Sequence, residues 1–177
     1  MKITDFFAKL PEPIITERLI LRAPLIKDAK DLAHLLNNKN IHKMLARAPY
    51  PYYKSDAIEF INEIVRTKVE HGYAITDKND VFIGIISLHI TDAGEAEIGY
   101  WLGEPFWGKG LMSEAVKALI DAALKTGICP PMVSRAITIN KGSIKVLKNC
   151  GYKITDTHID DCGQHKGVMV THLRLEI

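Results

Sequence analysis

One segment places two glycines between a β-prone stretch and an apolar helical pattern. Residues 96–102 favour a strand, Gly108 and Gly110 follow in a short turn, and Leu111 opens the helix. The first turn of a helix has backbone N–H groups without intrahelical partners, and its dipole favours an anion there. Glycines let the backbone approach that anion closely. The segment is therefore a candidate phosphate-binding loop, and the alternative is a tight turn between two core elements.

Two widespread phosphate-binding motifs do not fit this loop. A P-loop needs Lys followed by Ser or Thr after its second glycine, whereas Gly110 is followed by Leu111 and Met112. A dinucleotide-binding fingerprint needs a third glycine at the position of Ser113. The loop therefore belongs to another class.

The composition is that of a globular chain with room for a buried core. Its 177 residues are 47% hydrophobic and 25% charged, which excludes intrinsic disorder and favours a single domain, expected to span residues 1–177. The formal net charge of +2 gives no indication of nucleic acid or an anionic membrane as a partner. Three cysteines are too few for a disulfide framework, and no signal peptide or membrane span is evident. We therefore expect a cytoplasmic protein, either a monomer or a homodimer.

Hydrophobic periodicity predicts both strands and helices along the chain. Strands are expected at residues 14–25, 73–76, 81–90, 96–102, 133–139, 153–159 and 168–177. Helices are expected at residues 28–37, 55–72, 111–125 and 143–150. This order predicts an α+β fold with a mixed, mostly antiparallel, twisted sheet of about six to seven strands and about four flanking helices.

Three stretches resemble motifs of the GNAT superfamily of N-acetyltransferases, in its RimJ/RimL-like branch. Residues 97–115 resemble the acetyl-CoA signature, residues 16–22 the first strand, and residues 140–152 the Asn-x-x-Ser … Gly-aromatic stretch. The resemblance covers roughly residues 14–177, with the elements in the family's order. It implies an enzyme that transfers the acetyl group of acetyl-CoA directly to a primary amine.

The resemblance also implies where acetyl-CoA binds. Its pyrophosphate is expected on the backbone amides of residues 108–113, and its pantetheine arm along the strand 96–102. That strand should splay from the strand 133–139 and so open a slot for the thioester. Backbone N–H groups near its end would then stabilise the developing oxyanion. The implied cofactor-binding residues are Tyr100, Trp101, Leu102, Trp107, Gly108, Lys109, Gly110, Leu111, Met112, Ser113 and Asn140.

The sequence departs from the general superfamily pattern at three positions. Trp107 stands where the loop usually begins with Gln or Arg, although Trp is common in the RimJ/RimL-like branch. Met112 is bulkier than the Gly or Ala of the pattern. Leu147 stands where many members carry a Tyr that protonates the leaving thiolate. The candidate acid is therefore Ser143, which matches the Ser of this branch.

Glu97 is the candidate general base, because its carboxylate borders the expected slot and can accept the amine proton through water. The alternative is a surface residue paired with Lys or Arg. Ser143 has the alternative role of capping the next helix, and Asn140 that of closing a turn. His89 is a weaker candidate for a second base.

A further polar group near the C-terminus has the residue types of a metal site: His158, Asp160, Asp161, Cys162 and His165. It lacks the paired spacing of structural zinc sites, and acetyl transfer needs no metal, so no metal is expected. Cys150, just before a glycine that can end a helix, is expected to be a buried apolar residue and not a nucleophile.

The acceptor amine is expected to be the N-terminal α-amine of a protein or peptide. An α-amine with a pKa of about 7.8 is roughly a third unprotonated near neutral pH, against about 0.1% for a lysine amine, so one base suffices. The resemblance agrees, since RimJ and RimL act on the N-termini of ribosomal proteins. Acceptor selectivity is expected in residues 37–54. The alternatives are an enzyme for small-molecule amines or antibiotics, a non-catalytic acyl-CoA-binding regulatory module, and a nucleotide-binding protein.

Overall fold

The computed structural model describes residues 3–160 and 166–176, and it arranges their strands in one eight-stranded sheet. The strands are β1 (Ile14–Ile15), β2 (Leu19–Arg22), β3 (Glu70–Asp77), β4 (Phe82–Ile90), β5 (Ala96–Leu102), β6 (Met132–Ile137), β7 (Tyr152–Ile159) and β8 (Met169–Leu175). Their spatial order is β1-β2-β3-β4-β5-β6-β8-β7. Only β5 and β6 run parallel among these neighbours. The predicted α+β class with a mixed, mostly antiparallel sheet is confirmed.

Helices cover both faces of the sheet. They are α1 (Ile3–Ala8), α2 (Ala29–Leu36), α3 (Lys39–His42), α4 (Lys54–Glu59), α5 (Leu111–Lys125) and α6 (Lys141–Asn149). Helices α2 and α4 pack with Ala74 and Ile85 on one face, whereas α5 packs with Ile86 and Leu88 on the other. Within residues 3–160 and 166–176, no helix is long and apolar enough to cross a membrane.

The sheet has one strand more than the upper expected number because residues 14–25 do not form one continuous strand. The backbone turns at Thr16, whose N–H donates to the Leu19 carbonyl (3.0 Å) and whose hydroxyl accepts the Leu19 N–H (2.9 Å). The chain then folds back, and β1 pairs with β2. The short helices α1 and α3 were not predicted either, and they raise the number of helices above four.

The helix predicted at residues 55–72 is wrong at its C-terminal end. Helix α4 ends at Glu59, a π-helical turn follows at Phe60–Ile64, and β3 already begins at Glu70. A turn at Thr67 reverses the chain, since its hydroxyl accepts the Glu70 N–H (3.0 Å) and its own N–H donates to the Glu70 carbonyl (2.9 Å). This difference brings Glu70 into the sheet, where it contributes to the site described below.

Candidate active site

Strands β5 and β6 separate soon after they begin to pair. Ala96 lies opposite Met132 and Glu97 opposite Val133, and in the described part of the chain no further pair joins the two strands. Where they part, the hydroxyl of the buried Ser134 donates to the Ile98 carbonyl (2.9 Å). The expected splay is therefore present, and it opens the sheet alongside residues 99–102.

A cavity of about 770 Å³ lies at this opening, beside the first turns of α5 and α6. It is lined by Ser143 and by nearly all of the residues expected to bind acetyl-CoA: Tyr100, Trp101, Leu102, Trp107, Gly108, Gly110, Leu111, Met112, Ser113 and Asn140. Lys109 does not line it. The Lys109 ammonium donates to the Pro105 carbonyl (2.9 Å) and lies over the Phe106 ring. The structure thus brings the sequence-predicted cofactor residues together, with Lys109 turned to the loop itself.

The loop before α5 has the geometry of an anion cradle. Gly108 and Gly110 both have φ of +74°, a backbone conformation that residues with a Cβ adopt at a cost of roughly 1–2 kcal/mol. A Cβ at Gly108 would meet no atom within 4 Å, so nothing crowds the approach there. Gly110 directly precedes α5, whose free N–H groups face the cavity end of the helix. This open, glycine-shaped helix start fits a diphosphate group.

The two departures within this loop do not obstruct it. The Trp107 indole N–H donates to the Leu102 carbonyl (2.7 Å) and so fastens the loop to the end of β5. The Met112 side chain is 8% exposed and packs in the core beneath α5. Met112, which is bulkier than the Gly or Ala of the superfamily pattern, therefore directs most of its bulk into the core.

Glu114 braces the loop from behind. Its Oε1 accepts from the Thr16 hydroxyl (2.6 Å) and from the Arg18 N–H (2.8 Å), and its Oε2 accepts from Arg18 Nε (2.6 Å). Arg18 Nη1 in turn donates to the Lys109 carbonyl (2.9 Å). Burial opposes ionisation of Glu114, but these hydrogen bonds outweigh it and lower the pKa of the carboxyl. The first strand motif and the cofactor loop thus form one hydrogen-bonded unit.

Ser143 lies in the first turn of α6 and faces the end of β5. The Tyr100 phenol donates to the Ser143 carbonyl (3.1 Å), and its oxygen is 3.0 Å from Ser143 Oγ. The helix cap is Asn140, whose Oδ1 accepts the Ser143 N–H (3.1 Å). The capping role considered for Ser143 is therefore wrong, because the helix begins two residues earlier than predicted. The Ser143 hydroxyl is left facing Tyr100 and the cavity.

A second cavity of about 500 Å³ lies under α2 and α4 and meets the first at the splay. Gly99, Tyr100 and Trp101 line both. Its walls are mainly apolar, and they include Leu32, Leu36, Met44, Leu45, Tyr52, Phe60 and Ile85. An acceptor molecule in this cavity would reach an acyl group placed in the first one through the opening between β5 and β6.

The floor of the second cavity carries a row of ionisable side chains across three strands. Glu70 on β3 lies opposite His89 on β4, and His89 lies opposite Glu97 on β5. Glu97 accepts a hydrogen bond from Arg135 Nε (3.1 Å), and Glu70 lies 3.6 Å from Arg47 Nη1. Glu97 is therefore paired with an arginine, as the alternative expected, and it also lines the cavity, while its role as the general base stays a prediction.

Sequence reasoning missed Glu70 and Arg135 as site residues. Glu70 had been assigned to a helix, and Arg135 is distant from Glu97 in the chain. The sequence did contain a signal for the pairing of His89 with Glu97, because a turn at residues 91–95 joins β4 to β5 and places the two residues opposite each other.

The segment expected to govern acceptor selectivity does border this second cavity. Residues 44–49 and Tyr52 line it. The segment is tied to the cofactor loop at its start, because Asn38 and Asn40 (3.1 Å) both donate from their side-chain amides to the Glu104 carboxylate. Glu104 lies in the short turn between β5 and the glycine loop.

The remaining candidates do not join the site. Cys150 is half-buried against the core, and burial raises the pKa of its thiol, which agrees with a structural residue. In residues 3–160 and 166–176, no three His, Cys, Asp or Glu side chains are arranged so that they could hold a metal ion. Asp161, Cys162 and His165 of the considered metal group lie outside the described residues.

These features have a counterpart in a known family. The model of the acetyltransferase (GNAT) domain matches residues 18–153. The chain belongs to the GNAT family. It is therefore an acetyl-CoA-dependent N-acetyltransferase, and the RimJ/RimL-like resemblance and acetyl-CoA as co-substrate are confirmed. The non-catalytic and nucleotide-binding alternatives give way to an acyltransferase.

Relatives of this GNAT protein include acetyltransferases with different names. It is 31% identical over 147 residues to the uncharacterized N-acetyltransferase p20 of Bacillus licheniformis, an alignment that covers 80% of this chain and 83% of the relative. It is 34% identical over 88 residues to the ribosomal-protein-serine acetyltransferase of Escherichia coli K12, covering 47% and 49% of the two chains. A crystal structure of the microcin C7 self-immunity acetyltransferase MccE with acetyl-CoA and AMP superposes with a TM-score of 0.81 at 25% identity, covering 96% and 99%.

Proposed function

We propose that this enzyme acetylates the N-terminal α-amine of a protein or peptide, of the kind found on ribosomal proteins. The observation that carries the proposal is the second cavity, which adjoins the acyl-transfer slot and has mainly apolar walls. The carboxylates of its floor, Glu70 and Glu97, are paired with arginines, and Asp56 and Glu59 of α4 line it as well. Such a cavity suits one amine attached to an apolar residue better than a polycation. The name of the Escherichia coli relative supports the same acceptor class.

In this proposal Glu97 accepts the amine proton through water, and Ser143 protonates the leaving thiolate. The amine nitrogen then forms a bond to the acetyl carbon while the carbon–sulfur bond breaks. The protein's part is to hold both reactants in one slot and to neutralise charge as it develops. The backbone N–H groups near Trp101 and Leu102 polarise the acetyl carbonyl.

A second candidate acceptor is a small amine with an apolar body, such as an antibiotic. The volume of the second cavity, about 500 Å³, lies in the range of sites for drug-sized molecules. The structural likeness to a microcin self-immunity enzyme at 25% identity favours the same candidate.

The deciding experiment compares acceptors of matched composition. One peptide has a free N-terminus and an internal lysine, a second has the same sequence with a blocked N-terminus, and spermidine and an aminoglycoside complete the set. CoA release would be followed with a thiol reagent, and mass spectrometry would locate the acetyl group. Acetylation confined to the free N-terminus supports the proposal. Turnover of the blocked peptide or of the small amines alone would reject it.

A further inference from the structure

The arrangement around His89 points to a specific role for this residue, which the sequence offered only as a weaker candidate for a second base. His89 lies between two carboxylates, because Glu70 and Glu97 are its direct neighbours on the flanking strands. Directly opposite residues of antiparallel strands have Cβ atoms only about 4.5–5.5 Å apart and point to the same face. All three side chains line the second cavity, where the acceptor amine is expected.

The imidazole is oriented toward one of these neighbours. His89 Nδ1 lies 3.5 Å from Glu70 Oε2, and in residues 3–160 and 166–176 this buried nitrogen has no hydrogen-bond partner. A carboxylate next to one ring nitrogen favours the tautomer with its proton on that nitrogen, which leaves the other nitrogen as an acceptor. Glu70 is itself only 13% exposed, so its charge acts at short range with little screening by water.

The carboxylate of Glu97 is already engaged by a charged partner. One of its oxygens already accepts a hydrogen bond from Arg135, a residue that also lies 3.7 Å from Asp160. An imidazole, in contrast, exchanges protons readily near neutral pH. The imidazole of His89, on the neighbouring strand, is therefore a better final acceptor for the proton that leaves the amine.

We propose that His89 is the final acceptor of the amine proton, that Glu97 passes the proton to it, and that Glu70 positions its imidazole. This inference rests on the proposed reaction and deepens it. The ammonium group loses one proton through water to Glu97, Glu97 passes it to His89, and the partly exposed imidazolium releases it to solvent. The second proton lost from the nitrogen goes to the leaving thiolate by way of Ser143, so the protons balance.

Charged and titratable groups from several elements line the cavity together with His89. They are Glu70 on β3, Glu97 and Tyr100 on β5, Arg135 on β6, Arg47 and Tyr52 in the segment before α4, and Asp56 and Glu59 on α4. Of these, Glu70 and Glu97 are the direct cross-strand neighbours of His89, so substitutions at these positions test the proposal most directly.

The test compares His89→Gln, Glu70→Gln and Glu97→Gln in the full-length enzyme, with the exposed His34→Gln on α2 as the matched control. We expect His89→Gln to lower kcat/KM by about 10²-fold at pH 7, a loss typical of a missing general base. The loss should shrink by about sevenfold at pH 9.5, because an α-amine with a pKa of about 7.8 is then almost fully deprotonated without help. Glu70→Gln should cost about tenfold and move the acidic limb of the pH profile to lower pH. His34→Gln should behave as the wild type.

A double variant distinguishes one proton path from two. If Glu97 passes the proton to His89, the double variant that carries His89→Gln and Glu97→Gln loses no more activity than the less active of the two single variants. Losses that multiply would overturn the relay, as would wild-type activity of His89→Gln or a loss that does not depend on pH. Acetyl-CoA binding, measured by calorimetry, should be unchanged in all three single variants. The assay uses whichever amine the wild type acetylates, so a wrong acceptor class would leave the His89 result interpretable.

Discussion

The phenolic oxygen of Tyr100 lies 3.0 Å from the hydroxyl oxygen of Ser143, across the end of the cofactor cavity. Burial raises the pKa of the Tyr100 phenol, which therefore stays protonated and donates a hydrogen bond to the Ser143 carbonyl. With that proton engaged, the phenol accepts from the Ser143 hydroxyl and orients it. The tyrosine thus positions the group proposed to protonate the thiolate.

Ser143→Ala should lower kcat by about 10- to 100-fold, because the thiolate then leaves without a proton donor. Tyr100→Phe should cost less, since it removes only the orienting contact. The two effects should appear in kcat, with the KM for acetyl-CoA little changed. Steady-state kinetics would check this, with the exposed Ser55→Ala as a control. Full turnover by Ser143→Ala would remove the residue from the mechanism.

Glu97→Gln should reduce turnover by at least about tenfold and leave acetyl-CoA affinity nearly intact. The amide keeps the size of the side chain and still accepts from Arg135, so the cavity floor should hold its shape. Glu95→Gln is a suitable control, because Glu95 lies two residues away and pairs with Arg174 outside the cavity. Calorimetry and initial rates would be measured on both variants. Equal activity of the two would count against Glu97 as a base.

Gly108→Ala should weaken acetyl-CoA binding more than it weakens the fold. The matched control is Gly94→Ala, because Gly94 has φ of +76° and, like Gly108, open space at its Cβ position. Both substitutions carry the same backbone penalty, roughly 1–2 kcal/mol. Only Gly108 lies in the anion cradle, so only its variant should raise the dissociation constant, by about tenfold. Thermal unfolding should report similar losses for the two, and similar acetyl-CoA affinities would disprove the cradle.

His71 should make the fold sensitive to acid. Burial, assisted by the charge of Arg66, lowers the pKa of His71 to about 4, and its ring packs against Phe7 and Tyr73. The folded pKa lies below the value of about 6.5 expected in the unfolded chain, so protons bind the unfolded state more strongly. The contribution to stability is complete above pH 6.5 and is lost as the pH falls toward 4.

The measurement is thermal unfolding of wild type and His71→Phe between pH 7.5 and pH 4.5. Phenylalanine keeps the ring packing and removes the titration. The melting temperature of the wild type should fall by roughly 5–10 °C more than that of the variant over this range. Parallel curves would show that His71 does not couple protonation to folding.

The sequence was sufficient to predict those elements whose ends are marked by residues close by in the chain. Strand β5 and helix α5 have the predicted ends, because Gly103 and Pro105 follow the strand and a strong apolar periodicity begins after Gly110. The cofactor-binding residues were implied by the resemblance to the GNAT superfamily, and all of them except Lys109 line the first cavity.

Partners distant in the chain were not accessible in this way. The contact of Glu97 with Arg135 depends on the pairing of β5 with β6, and that of His89 with Glu70 depends on where β3 begins. The turn at Thr67 ends a helical pattern that continues in the sequence, so local periodicity assigned Glu70 to the wrong element. Chemistry shared between strands becomes visible only once the register is known.

The separation of β5 from β6 leaves an opening in the sheet that joins the two cavities. In the proposed reaction, acetyl-CoA lies beside α5 and α6, whereas the acceptor enters beneath α2 and α4. We therefore expect CoA and the acetylated acceptor to leave on the two different sides of the sheet, so that neither product blocks the exit of the other.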